Sequence, residues 1–200
     1  MAQAVSDFRL FHVTRQITYN SHPPLTVGAD VQVGKATNPF FGFYENARTY
    51  MVGLPTGYVR YGAIHFLKEV QAGRVRSDQL PAVAVEVAQH YVMLTRELIM
   101  EEVRREVAPL APSRQRCLWA AADLTLARHW KNRLGGDARI LEIAVKGTVF
   151  HADANLLLGD SEPLSVTYDR ARRYWRGESG DAPDPEVLVA GRVTVVAEQS

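Results

Sequence analysis

The sequence predicts one α+β domain spanning residues 1–200, and three observations carry that reading. Apolar-alternating runs open and close the chain, one long stretch repeats apolar side chains at helical spacing, and Gly/Pro-rich turn clusters cut the rest into short pieces. No internal repeat or linker-like stretch divides it.

The first run, Phe8 to Ile17, alternates as a strand, with Phe8, Leu10 and Val13 turned toward a core. His12 and Thr14 then share one face, roughly 7 Å apart along the strand. Tyr19 to Pro24 is turn chemistry, and Val31 to Lys35 forms a short second strand. Thr37-Asn38-Pro39 reads as a loop, followed by the aromatic cluster Phe40-Phe41-Gly42-Phe43-Tyr44. Residues 45–60 are expected to be irregular, broken by Gly53, Pro55 and Gly57. A short helix covers Ala63 to Gln71, and a long one runs from Leu80 to Val107 on the stripe Val83, Val87, Tyr91, Leu94, Leu98. Its Arg96-Glu97, Glu101-Glu102 and Arg104-Arg105-Glu106 pairs read as the solvated face, and Pro109 and Pro112 end it. Residues 45–112 thus form a helical insert, assigned to scaffold or lid duty.

Arg116 to Ala121 is a short strand, after which Asp123 caps a helix that runs to Leu134 and ends at Gly135-Gly136. Arg139 to Val149 is a strand or a bulged pair around Gly147, and His151 to Asn155 is expected to loop. In Val166 to Trp175, arginines interleave with aromatics; an amphipathic helix and a target-gripping segment both fit that pattern. Gly177 to Pro185 is loose, and Glu186 to Val196 is the closing strand.

A formal net charge of +1 provides no global steering toward nucleic acid or membrane. The single cysteine, Cys117, excludes an intrachain disulfide and a multi-cysteine zinc site, and its apolar setting reads as structural. The N-terminus lacks a signal-peptide pattern, and no apolar run approaches the ~20 residues needed to span a bilayer. A soluble cytoplasmic protein without membrane partners is therefore expected. The phosphate cradle, the dinucleotide fingerprint, the His-Glu-x-x-His helix and the nucleophile elbow are all absent from the sequence. Six scattered histidines show no ligand spacing, so no metal is expected.

In order, the chain carries a Phe-His-x-Thr strand, Leu-x-x-Gly, a Cys-Leu-Trp-Ala-Ala strand and an Arg-Ile-Leu-Glu-Ile strand with Thr148 and Asp153 beyond it. Tyr-Asp-Arg-Ala and Pro-Glu-Val-Leu-Val-Ala-Gly-Arg-Val close it. This layout resembles the ADP-ribosyltransferase superfamily, in a bacterial branch similar to the rifamycin-modifying enzymes, and also a bacterial family of uncharacterised proteins. The resemblance covers roughly residues 8–42 and 114–197. It implies a split mixed or antiparallel sheet and NAD as substrate, with an acceptor (protein, nucleic acid or small molecule) left open, as is oligomeric state.

Carried over by residue, His12 matches the first-strand histidine that bonds the ribose side of NAD, and Thr14 the hydroxyl residue two places on. Val13 stands where relatives more often carry glycine, whose main chain holds the nicotinamide amide. The tyrosine that stacks on nicotinamide is missing; Trp119 takes that position, with Tyr44 or Tyr50 as substitutes. Glu186 matches the catalytic glutamate, and Asp153 an acid that assists acceptor activation. Tyr168 and Arg170 fall in the target-recognition segment, while Arg15 and Arg116 have the chemistry to meet the NAD pyrophosphate.

One carboxylate suffices for such a reaction. Cleaving the nicotinamide–ribose bond develops positive charge on the sugar, which a fixed anion stabilises, and nicotinamide leaves without a paired acid. A NAD glycohydrolase or 2′-phosphotransferase of the same fold is the nearest rival. A non-enzymatic nucleotide- or nucleic-acid-binding module is the rival from another class.

Overall fold

The computed structural model describes residues 1–15, 24–159 and 161–199. Expected turn residues Tyr19 to Pro23 lie outside them. The chain opens with β1 (Gln3–Thr14), β2 (Asp30–Val33) and α1 (Pro39–Glu45), then β3 (Thr49–Leu54) and β4 (Gly57–Gly62). The helices α2 (Ala63–Gln71) and α3 (Leu80–Val107) follow. Next come β5 (Leu118–Ala120), α4 (Leu124–Leu134) and β6 (Arg139–Asp153). A 3-10 turn, Ala154–Leu157, precedes α5 (Leu164–Arg176) and β7 (Pro185–Gln199). The architecture is α+β, with antiparallel strand pairing throughout.

The main sheet runs β1-β6-β7-β2, and β5 pairs the start of β7. One isolated bridge, Phe11 to Ala121, ties β1 back to the end of β5, with reciprocal bonds of 3.0 and 2.7 Å. The sheet therefore curls at this end until its two margins meet. Leu10, Ile143, Val145, Val187, Val189 and Val193 pack together on one face. Phe150 and Leu188 point the other way, onto Met100 of α3 and Tyr174 and Trp175 of α5. Phe11 and Val13 pack with Ala121, Ala127, Ile140 and Trp130 beneath α4. The close crossing of β6 and β7 depends on glycine: a Cβ on Gly147 would lie 2.1 Å from the Ala190 carbonyl oxygen, and Gly191 sits at φ +133°.

Several expectations need correction. Residues 49–62 form a β-hairpin, because Pro55-Thr56 is the turn between its strands and not a break in structure. The insert is thus a hairpin plus two helices. Phe40 to Tyr44 is helical: Asn38 accepts from the Phe41 amide at 2.9 Å and Pro39 takes the first turn. The Asn38 side-chain amide also donates to the carbonyls of Arg114 and Cys117, fastening α1 to the approach of β5. His151 to Asp153 continue β6, because they pair Val187 to Pro185 of β7. α3 keeps its expected limits but turns a different face inward. Val87, His90, Glu97, Met100, Glu101 and Val103 are buried, while Tyr91 and Leu98 are exposed. The acids on that face go inside because arginines meet them: Arg96 of the same helix and Arg114 from beyond it on Glu97, and Arg104 and Arg105 on Glu101. Among the described residues, no helix is long and apolar enough to cross a membrane.

Candidate active-site cleft

A cleft of about 380 Å³ opens where β1, β5 and the start of β7 converge. Phe40, Trp119 and Trp130 give it aromatic walls, Phe11 and Val13 line it from β1, and Leu157 and Leu158 cross its far side. Phe40 meets Trp119 edge-on at 5.4 Å. Three arginines reach it, Arg96, Arg114 and Arg133, and its acid is Glu186.

Glu186 is the first core-directed residue of β7, and strand alternation puts it on the face of Leu188. It is 6% exposed. Its Oε1 accepts from Arg114 Nη1 at 2.5 Å and from the Tyr174 hydroxyl at 2.6 Å. Among the described residues, both bonds to this carboxylate fall on that one oxygen, and Glu186 lines the cleft. Arg114 reaches the other way too, through Nε to Glu97 Oε2 at 3.1 Å, and Glu97 takes Arg96 on its Oε1 at 2.8 Å. Burial opposes the charge on Arg114, but Glu97, Tyr174 and Glu186 outweigh it and hold its pKa well above the ordinary guanidinium value. Burial likewise works against ionising Glu97, and the two arginines override it and lower its pKa. Burial pushes the Tyr174 phenol up, so it stays a donor.

His12 and Glu186, the histidine and glutamate matched through the resemblance, do not line one cleft. Leu10 packs with Val187 and Val189, and alternation sets His12 and Thr14 on that side, whereas Phe11 and Val13 share the cleft with Glu186. His12 instead donates through Nδ1 to the Trp119 carbonyl at 2.8 Å. Burial lowers its pKa, partly countered by that bond, so the ring is neutral at pH 7. Its role is to hold the strand that carries Trp119. The Phe11 amide and carbonyl face Ala121; by the same alternation the Val13 main chain faces the same side, level with Trp119 in the antiparallel register, and Val13 lines the cleft.

Arg15 is exposed at the rim, donating to the Leu134 carbonyl at 3.1 Å. Arg116 lies away from the cleft, in a polar groove with Gly34, Ser113 and Thr148. The arginine at the carboxylate is Arg114. Tyr50 stacks on Phe66 at 4.8 Å inside the insert, and Tyr44 sits one layer behind Phe40, at 5.1 Å. Tyr168 bonds Glu102 at 2.7 Å, and Arg170 pairs Glu162 at 3.0 Å beside a separate cavity between α3 and α5. None of these touches the cleft.

Asp153 is committed to the backbone. It accepts from the amides of Asn155 (2.9 Å), Gly180 (2.7 Å) and Asp184 (2.8 Å), fixing the loop that leads into Glu186. Burial raises its pKa, but the three amides prevail and the net shift is downward. Asp153→Asn is expected to cost about 1–3 kcal/mol at pH 7, measured by urea unfolding. A depressed folded pKa gives stability that is present above the unfolded value of about 3.9 and fades as pH falls below it, so the difference between the two proteins shrinks toward pH 3.

Arg114 and Tyr174 went unread in the sequence because their partners are remote: Arg114 lies 17, 60 and 72 residues from Glu97, Tyr174 and Glu186. The one available signal for Tyr174 is its place in the Arg/Tyr/Trp run of α5.

Among curated proteins, none matches the chain. A family model described as "Protein of unknown function (DUF2441)" matches residues 10–200. That match spans nearly the whole chain, which therefore belongs to the DUF2441 family.

Proposed function

We propose that this cleft binds NAD and that the protein is a mono-ADP-ribosyltransferase on an ADP-ribosyltransferase-like sheet. The observation that carries the reading is Glu186: a lone carboxylate at the start of the last strand, clamped on one oxygen, beside the aromatic face of Trp119. In this reading the nicotinamide ring lies against Trp119 and its amide meets the Val13 main chain. Glu186 Oε2 holds the ribose 2′-hydroxyl and stabilises the cation that develops as the C1′–N bond breaks. The bonding pair leaves with nicotinamide, and the acceptor's lone pair closes the new bond to C1′ as its proton passes to solvent. Arg133, at the mouth over the Trp130 ring at 4.9 Å, meets the pyrophosphate by exchanging its partner Asp184. His12 acts through the Trp119 strand and not on the ligand.

Calorimetric titration with NAD tests the binding step. Saturable one-to-one binding, weakened about 10-fold in Trp119→Ala, is the expected result. No heat with the folded 200-residue chain overturns the reading. Released nicotinamide, with label from adenine-labelled NAD retained on an added acceptor, identifies transfer. Free ADP-ribose as the sole labelled product would make the protein a glycohydrolase.

A further inference from the structure

Glu97 is the most deeply buried carboxylate among the described residues, at 0% exposure, and it sits on the insert helix that the family resemblance leaves unexplained. Removing a charge from water is costly, and apolar residues of similar size would hold α3 against the core at least as well. The geometry around it serves a different end. Glu97 Oε2 grips Arg114 at Nε, while Arg114 Nη1 reaches Glu186 Oε1 and the Tyr174 oxygen at 2.8 Å. The guanidinium is pinned at both ends and flanked by the rings of Trp119 (5.5 Å) and Tyr174 (5.3 Å). Glu97 Oε1 takes Arg96, whose Nη1 holds the Leu157 carbonyl at 3.1 Å, the strap across the cleft.

We infer that Glu97, acting through Arg114, and Tyr174, acting directly, are positioning residues that fix Glu186 with one oxygen presented to the cleft, making the insert helix α3 part of the active centre. The inference rests on the ADP-ribosyl-transfer reading for its catalytic meaning, and on the hydrogen-bond geometry alone for the orientation. Without Glu97, Arg114 is free to swing, and Glu186 then follows it or fills the cleft with both oxygens. Without the Tyr174 hydroxyl, Oε1 keeps one of its two donors and the carboxylate rotates about its last bond.

Tyr174→Phe and Glu97→Gln test this. Tyr174→Phe removes one oxygen and keeps the packing; Glu97→Gln keeps a hydrogen-bonding side chain of the same length without the charge. Each is expected to lower kcat for nicotinamide release about 100-fold, the cost of a small misplacement of a reacting group, while the Kd for NAD stays within about 2-fold. A residue that served stability alone would shift the melting temperature and leave kcat of the folded fraction intact. Infrared difference spectra supply a readout that needs no turnover: carboxylate bands assigned to Glu186 by subtraction of Glu186→Gln are expected to shift in both variants. Unchanged kcat in both variants, or unmoved Glu186 bands, would overturn the inference. A wild-type protein inert toward NAD would sink the transfer reading, and the infrared bands would still decide the orientation.

Discussion

Arg114→Met is expected to cost about 3–5 kcal/mol of unfolding free energy at pH 7, because it removes the cation shared by two buried carboxylates and leaves Glu97 with Arg96 and Glu186 with the Tyr174 hydroxyl. The guanidinium is 4% exposed and is the shared partner of Glu97 and Glu186. Methionine fills much of the volume, so the loss reports uncompensated charge and not a cavity. The pH dependence separates this from simple misfit. In the native protein, burial opposes ionisation of Glu97 but Arg114 and Arg96 prevail, so its folded pKa is low. Its contribution is present above the unfolded pKa of about 4.3 and is lost as pH falls. In Arg114→Met, Arg96 alone is left to oppose burial, and the folded pKa of Glu97 rises. The folded variant then binds more protons than the folded wild-type protein, so its stability deficit shrinks as pH falls from 7 toward 5. Guanidinium titrations at both pH values check it; a deficit that is small at pH 7, or constant with pH, contradicts the account.

Glu186→Gln is expected to reduce NAD cleavage by at least about 100-fold, the scale of losing one preorganised electrostatic partner of a developing charge. Glutamine keeps the length and an oxygen acceptor for Arg114 and Tyr174, so the melting temperature is expected to move far less than in Arg114→Met. NAD affinity is expected to change little, since the charge acts on the cation formed during cleavage. Nicotinamide release under single-turnover conditions measures the step directly. Wild-type rates in a folded Glu186→Gln protein would remove this residue from the mechanism.

Local rules were legible and distant pairings were not. Helices α2 and α3 run between their expected limits, and Asp123 caps α4 by accepting the Leu126 amide at 2.9 Å. Those features depend on spacing and caps within a few residues. The strand faces could not be assigned in the same way. Phe8, Leu10, Phe11 and Val13 are apolar on both sides of β1, and register against β6 decides which side meets the cleft. That choice turned His12 inward and gave its expected place to Phe11 and Val13. The buried face of α3 was hidden for a related reason: Glu97 reads as solvated until Arg114, from another part of the chain, is set beside it. Glu186 was legible as a strand-opening acid, and the residues that hold it were not.

The single bridge between Phe11 and Ala121 has a consequence for how molecules of this protein meet one another. By joining the two borders of the sheet beside the cleft mouth, it shortens the unpaired edge that the described residues offer a neighbour there. Among the described residues, no strand pairs the flank of β1 near Gln3–Val5 or the outer side of β2. Edge-to-edge growth, whether dimerisation or aggregation, is thereby directed away from the mouth, so self-association and ligand access need not compete.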